Sequence, residues 1–296
     1  MSNNAPLWRS LLFIPANNEK FVAKAHTRGA DAIILDLEDS VAPDQKEAAR
    51  VGLAIAAQTI ADNGTDVVVR INSDSFDSDI AAASTAHVRA LVVPKVNDAE
   101  TLKRADALVT QVEKERQLPL GEIRLLAQIE DIRALGNLDA IAQSTPRLIG
   151  LSLGSEDFSA SAHMSPTRET LYGPNQQVAF ACRRAGILPF GFPDSITLIQ
   201  DVDAMTSAAK LAAEMGMVGA FCIHPKQVEI LNRALTPSDH VVADAKLLVS
   251  EFEKSQSQGA AVFVFNGKMV DLPVVQRARD VLARAERLSA LSDLQT

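Results

Sequence analysis

Two cysteines, one tryptophan and one tyrosine in 296 residues leave this chain poor in redox, disulfide and stacking side chains. Cys182 and Cys222 stand far apart, in no CxxC or metal-type spacing, so a reducing compartment is expected. No apolar run approaches the roughly 20 residues of a membrane-spanning helix. The longest lies around residues 51–57. The start, MSNNAPLWRS, shows neither the basic nor the apolar region of a secretory signal, and a cytoplasmic location is expected. Asn63-Gly64-Thr65 then reads as a chance match to a glycosylation acceptor. A net charge of −8, with no dense Lys/Arg block, argues against nucleic-acid backbone binding. Neither GxGxxG nor GxxxxGK[ST] occurs, which removes the usual signal of a doubly wound nucleotide-binding sheet.

What the chain does have is a large aliphatic core supply, 47% hydrophobic against 22% charged residues. Short apolar runs alternate with helical patterns. The runs are LLFIP (11–15), AIILDLE (32–38), VVVRIN (67–72), ALVVPKV (90–96), RLLAQIE (124–130), RLIGLSLG (147–154), ILPFGFP (187–193) and GAFCIHP (219–225). Short continuous runs suit strands buried on both faces of a parallel sheet. Between them, helices are expected near 19–28, 44–60, 98–116, 131–142, 176–185 and 202–215, with Asp44 and Glu47 as a capping box. Eight strand–helix alternations predict an α/β fold, a (β/α)8 TIM barrel over residues 1–236. Residues 237–296 break the pattern. A helix at 239–256, a hairpin turn at Asn266-Gly267 and a helix at 274–290 suggest a lid or a subunit-interface arm.

Four of the runs end in groups suited to an acidic substrate: AIILDLED, VVVRIN, LLAQIED and IGLSLGSED. In a barrel those ends gather at one mouth, where such folds build their sites. Glu130 and Asp157 offer hard oxygen ligands of the kind Mg2+ takes. Each would equally serve as an acid at a helix N-terminus. Arg70 offers a planar fork for a carboxylate or an enolate oxygen; its alternative is an internal ion pair with Glu38 or Asp39. Lys95 reads as a Schiff-base amine or as a counter-charge to the acids. His224 reads as a hydrogen-bonded structural residue. No Ser-His-Asp or Cys-His spacing is recognisable.

The segment RSLLFIPANNEKFVAKAHTRGADAIILDLEDSVAPDQKEAAR resembles the opening of the citrate lyase β-subunit, malyl-CoA lyase and citramalyl-CoA lyase family, within the HpcH/HpaI aldolase superfamily. The resemblance runs through VVVRIN, VVPKV, LLAQIE, LGSEDFSA and GAFCIHPKQVEILNRAL, covering residues 9–236, and GKMVDLP is similar to the family's C-terminal segment. It implies a Mg2+-dependent carbon–carbon lyase acting on an acyl-CoA thioester. Glu130 and Asp157 would hold the metal, Arg70 would contact substrate, and Glu38 and Asp39 would form a supporting acid pair. Asp271 would be the catalytic acid/base, delivered to a neighbouring subunit's site in a homo-oligomer, a trimer or a dimer of trimers. Its plainer reading is a helix cap just before Pro273. Arg9, Lys20 and Lys24, basic residues around the first strand, are the candidates for CoA binding. The stretch GFPDSITLIQDVDAM is only loosely similar to the family's acidic segment, which leaves acyl specificity open. Carrier-bound citryl thioester and free 2-oxo acids are the alternative substrates.

Overall fold

The computed structural model describes residues 6–257 and 263–294. Eight strands organise the first part of the chain. They are β1 (Ser10–Pro15), β2 (Ala32–Asp36), β3 (Asp66–Arg70), β4 (Ala90–Val93), β5 (Arg124–Ile129), β6 (Leu148–Leu153), β7 (Leu188–Phe190) and β8 (Ala220–Cys222). All pair in parallel, in the order β7-β6-β5-β4-β3-β2-β1-β8. A parallel bridge between Phe190 and Gly219 brings the two ends together, giving the (β/α)8 barrel the alternation predicts. That seam is tight. A Cβ on Gly219 would sit 1.8 Å from the Trp8 carbonyl oxygen, so only glycine lets these backbones approach.

Period-two alternation explains why the strands read as unbroken apolar runs. Leu11, Ile34, Val68, Leu126, Phe190 and Phe221 fill the barrel interior. Their neighbours Leu12, Ile33, Val67, Leu125 and Leu151 point outward into the helical layer. That layer comprises α1 (Glu19–Lys24), α2 (Lys46–Ala61), α3 (Phe76–Ala83), α4 (Ala99–Glu115), α5 (Leu138–Ala142), α6 (Ser155–Ser161), α7 (Arg168–Ala185), α8 (Val202–Glu214) and α9 (Pro225–Ala234).

Several local expectations change. Asp44 and Glu47 form no capping box: Pro43–Gln45 is a 3-10 turn, α2 starts after it without a side-chain cap, and Glu47 pairs with Arg50 instead. The connection before β4 holds α3, and the polar segment after β6 holds α6 and a longer α7. α3 buries Phe76, Ile80 and Ala83, but its short apolar face is interrupted by a buried charge. Buried Asp79 accepts from Arg50 and from the Asn72 backbone and side chain. The helix expected at 131–142 is mostly 3-10, with only Leu138–Ala142 truly α-helical.

The chain divides into two compact units, residues 1–235 and 236–296. The second contains α10 (Asp239–Ser257), β9 (Phe263–Phe265), β10 (Lys268–Val270) and α11 (Leu272–Leu294). β9 and β10 pair antiparallel around Asn266 (φ 48°) and Gly267 (φ 72°). Two consecutive left-handed residues make the primed turn that Asn-Gly favours. Phe252, Val270 and Val275 form this unit's own small core. Among the described residues no helix is long and apolar enough to cross a membrane.

Candidate active site

The C-terminal ends of β2 and β3 build the charged centre. Arg70 is buried, and it donates to Asp36 in a two-pronged pair, Nε to Oδ1 and Nη2 to Oδ2, both at 2.7 Å. Its remaining nitrogen, Nη1, lies 3.1 Å from Glu38 and 3.0 Å from Asp39. The Phe13 ring lies under the guanidinium at 4.6 Å. Asp36 also accepts the backbone N–H of Glu38 and of Ser40. Burial works to raise the Asp36 carboxyl, but the Arg70 hydrogen bonds and charge outweigh it and hold it low. Asp36 escaped the sequence reading, although its alternation with Glu38 in LDLED places both on the inward face.

Next around the barrel, Glu38 is also paired to Lys95, Nζ to Oε1 at 2.9 Å. Burial raises the Glu38 carboxyl, against the pull of Lys95 and Arg70. The hydrogen bond to Glu38 raises the Lys95 ammonium. A Schiff-base lysine needs its amine neutralised, so Lys95 acts as a counter-charge.

Glu130 follows β5 and is 4% exposed. Its Oε2 accepts the Lys95 backbone N–H at 3.0 Å, while its buried Oε1 has no hydrogen-bond partner among the described residues. Burial, then the charges of Glu38 and Asp157, push its carboxyl up to about 8. A buried acid so placed is deficient in positive charge. Gly154 makes the space: a Cβ there would lie 2.7 Å from Glu130 Cγ. Asp157 stands in the first turn of α6, exposed to a cleft, and its charge acts on Glu130. Two carboxylates fit Mg2+, which keeps several waters and takes one or two protein acids. Among the described residues no group of three or more His, Cys, Asp or Glu side chains converges as a ligand set, so a closed protein cage is not offered. With Glu130 and Asp157 as ligands, a metal would supply the positive charge that the orphaned oxygen lacks.

A cleft of about 780 Å³ opens above these groups. Arg70, Asp39, Gln128, Ser152 and Asp157 supply its polar lining, and Phe13, Ile14, Phe192 and Phe221 its apolar walls. Glu156 accepts from Ser155 at 3.1 Å and Ser195 at 2.6 Å, tying the loop after β7 to the start of α6. His224 lines the rim but caps α9, with Nδ1 accepting the Lys226 N–H at 3.1 Å. That is the structural role expected of it.

The basic residues divide. Lys20 and Lys24 are exposed on α1. Arg9 is a correction: it precedes β1 and pairs with Asp31, just before β2, at 2.7 Å. Those are the N-terminal strand ends, the opposite end of the barrel from Glu130. Arg28, which the sequence reading passed over, lines the cleft instead. Asp271 is exposed at the start of α11, where its carboxylate and backbone oxygen both accept from the Val274 N–H. That is the geometry of a cap.

The chain is similar to known proteins over nearly its whole length. The HpcH/HpaI aldolase/citrate lyase family model matches residues 9–225. Citrate lyase subunit beta of Leuconostoc mesenteroides subsp. cremoris is 32% identical over 289 residues, covering 96% of this chain and 95% of the relative. An L-malyl-CoA/beta-methylmalyl-CoA lyase of Cereibacter sphaeroides is 32% identical over 311 residues, covering 95% and 96%. Among solved structures, CitE of Mycobacterium tuberculosis, in complex with magnesium, acetoacetate and coenzyme A, superposes with a TM-score of 0.73 at 29% identity, covering 97% of this chain and 100% of that one. The chain therefore belongs to the HpcH/HpaI aldolase/citrate lyase family of carbon–carbon lyases.

Proposed function

We propose that this protein is a Mg2+-dependent lyase that cleaves, or forms, a 3-hydroxyacyl-CoA such as citramalyl-CoA or malyl-CoA. The products are acetyl-CoA and a small 2-oxo acid, pyruvate or glyoxylate. The observation that carries the reading is the orphaned Oε1 of Glu130, buried beside a cleft that Asp157 and Arg70 share. Mg2+ on Glu130 and Asp157 would supply Lewis-acid stabilisation of negative charge on oxygen.

The chain's own groups account for the rest. Arg70 is fixed by Asp36, so it presents charge to a developing enolate oxygen with little reorganisation. Lys95 and Arg70 keep Glu38 from adding an uncompensated charge beside Glu130. Phe13, Phe192 and Phe221 keep the cleft wall apolar, which strengthens these interactions. Asp271 supplies or removes the proton at the enolate carbon, from a neighbouring subunit of a homo-oligomer. Arg28, with Lys20 and Lys24, is the candidate set for the CoA phosphates.

Equal identity to a citrate lyase β-subunit favours one second reading, cleavage of a carrier-bound citryl thioester. Aldol chemistry on free 2-oxo acids through a Schiff base is disfavoured by the Lys95–Glu38 pair. A panel of CoA thioesters, assayed with Mg2+ and with chelator, tests the reading. Chelator-sensitive release of acetyl-CoA supports it. Turnover of carrier-bound thioester alone would replace it with the second reading, and full activity without metal would reject the metal site.

A further inference from the structure

Leu37 stands between Asp36, which holds Arg70, and Glu38, which Arg70 holds in turn. Its N–H donates to the Arg70 carbonyl oxygen at 3.0 Å, carrying the β2–β3 ladder one residue past the strand ends. The next rung of a parallel ladder would run from the Asn72 N–H to the Leu37 carbonyl. Here the Asn72 N–H donates instead to Asp79 of α3 at 2.8 Å, and the Asn72 side-chain amide takes the Leu37 carbonyl at 2.7 Å. A side chain thus replaces a backbone rung, and β3 turns off toward α3 while the turn after β2 keeps its partner.

Every polar group of that amide is used. Nδ2 also donates to Asp79 at 2.7 Å, and Oδ1 accepts from Lys46. Asp79 is fully buried and accepts from Arg50 Nε at 2.8 Å. Lys46 and Arg50 both stand near the start of α2, the helix that follows the β2 turn. A buried charge is expensive unless it is paired and hydrogen-bonded, and Phe76 and Ile80 already pack α3 on the core. Neither Asn72 nor Asp79 lines the cleft. What they fix is the peptide unit that joins Leu37 to Glu38. Its oxygen is held by Asn72, and its N–H by the Asp36 carboxylate at 3.0 Å. With both polar atoms pinned, the turn has one way to aim Glu38 and Asp39, and Arg70 Nη1 meets them at 3.1 and 3.0 Å.

Resting on the lyase reading above, we propose that Asn72, oriented by Asp79, is the positioning residue that sets Glu38 and Asp39 against Arg70. It touches no reacting atom. It acts through the Leu37 carbonyl, so that Arg70 stays on its acids and Glu38 stays between Arg70 and Lys95. Without it the turn swings, and the charge balance beside Glu130 goes with it.

Full-length Asn72→Ala, assayed with Mg2+ and a CoA thioester where it is fully folded, should lose about tenfold or more in kcat. Its KM should stay near the wild-type value, because the cleft lining is intact. Glu113→Gln is the control. It breaks a buried pair with Arg147 at the other end of the barrel, and should lower Tm without lowering kcat. Asp79→Asn should lower kcat in the same direction, and serves if Asn72→Ala does not fold. Added to Asn72→Ala it should lower kcat little further, since it acts through Asn72. Crystals of wild type and variant need no substrate: the 3.1 Å approach of Glu38 to Arg70 should open past hydrogen-bond reach in the variant. A kcat that follows the Glu113→Gln control, or Glu38 and Asp39 unmoved in the variant crystal, would overturn the proposal. If the turn moves in the crystal but wild type cleaves no CoA thioester, Asn72 keeps its positioning role and the lyase reading falls.

Discussion

Lys95 reaches Glu130 through its backbone: its N–H donates to Glu130 Oε2 at 3.0 Å, from a left-handed conformation with φ of 55°. A non-glycine residue held there costs on the order of 1 kcal/mol or more, and such strain concentrates at functional sites. The same residue turns its ammonium to Glu38. One strained residue thus spaces the two buried acids and leaves Glu130 a single unfilled oxygen.

That oxygen gives a pH signature. Glu130 is pushed up to about 8, chiefly by burial, from the ordinary carboxyl value of 4.5. The metal-free folded protein therefore holds a proton that the unfolded chain releases above about 4.5. The resulting stability is fully present below that value and is lost as pH rises through about 8. Glu130→Gln has no such proton, so the wild-type Tm should fall relative to this variant across that window. Mg2+ must displace the proton, so its apparent affinity should climb toward the upper end. Calorimetry in two buffers of different ionisation enthalpy reads the release. Flat Mg2+ affinity across the window would remove Glu130 from the metal site.

Arg70→Lys should be nearly as damaging as Arg70→Ala. A lysine places one point charge where Asp36 takes two nitrogens and Glu38 and Asp39 share a third. Leaving part of this buried acid cluster unpaired should cost about 1–3 kcal/mol of stability, measured by denaturant unfolding. kcat/KM should fall by at least about tenfold in conditions where the variant is fully folded, equivalent to ~1.4 kcal/mol. A lysine variant that keeps most of its kcat/KM would make Arg70 structural only.

The barrel was legible because both strand faces are buried, so each of the eight strands shows as a short apolar run. Helices anchored by charge were not. α3 is held by Asp79 as well as by Phe76, Ile80 and Ala83, and composition alone assigns such a charged stretch to a polar loop. Arg70, Glu38, Glu130 and Asp157 were readable as polar ends of apolar runs. Asp36 and Gln128 sit inside those runs, where only strand parity reveals that they face the cleft. Arg9 misled because chain proximity to β1 does not say at which end of the strand a side chain lies.

Gly154 tests whether the acid pocket depends on empty space. In Gly154→Ala the new Cβ would meet Glu130 Cγ at 2.7 Å and Gln128 Nε2 at 3.0 Å. The backbone angles at this position, φ −83° and ψ 97°, suit alanine, so the clash and not backbone strain is what changes. The variant should fold, displace Glu130 and bind Mg2+ at least about tenfold more weakly, a loss of ~1.4 kcal/mol. Unaltered Mg2+ affinity would show that Glu130 has room to move.

Asp271 offers the sharpest separation of structure from chemistry. It caps α11, and asparagine caps a helix about as well as aspartate. Asp271→Asn should therefore leave Tm, Mg2+ binding and CoA-ester binding unchanged. If the carboxylate carries the proton to the enolate carbon, turnover should drop by about a hundredfold or more, the usual scale for a removed general acid or base. Delivery from a neighbouring subunit has its own test, mixing inactive Asp271→Asn chains with inactive Glu130→Ala chains. Mixed oligomers contain sites with an intact metal pocket from one chain and an intact carboxylate from the other, so activity should return. Activity per chain should also fall when the wild type is diluted into monomers. No recovery in verified mixed oligomers would reject the shared site, and a fully active Asp271→Asn would leave Asp271 as a helix cap alone.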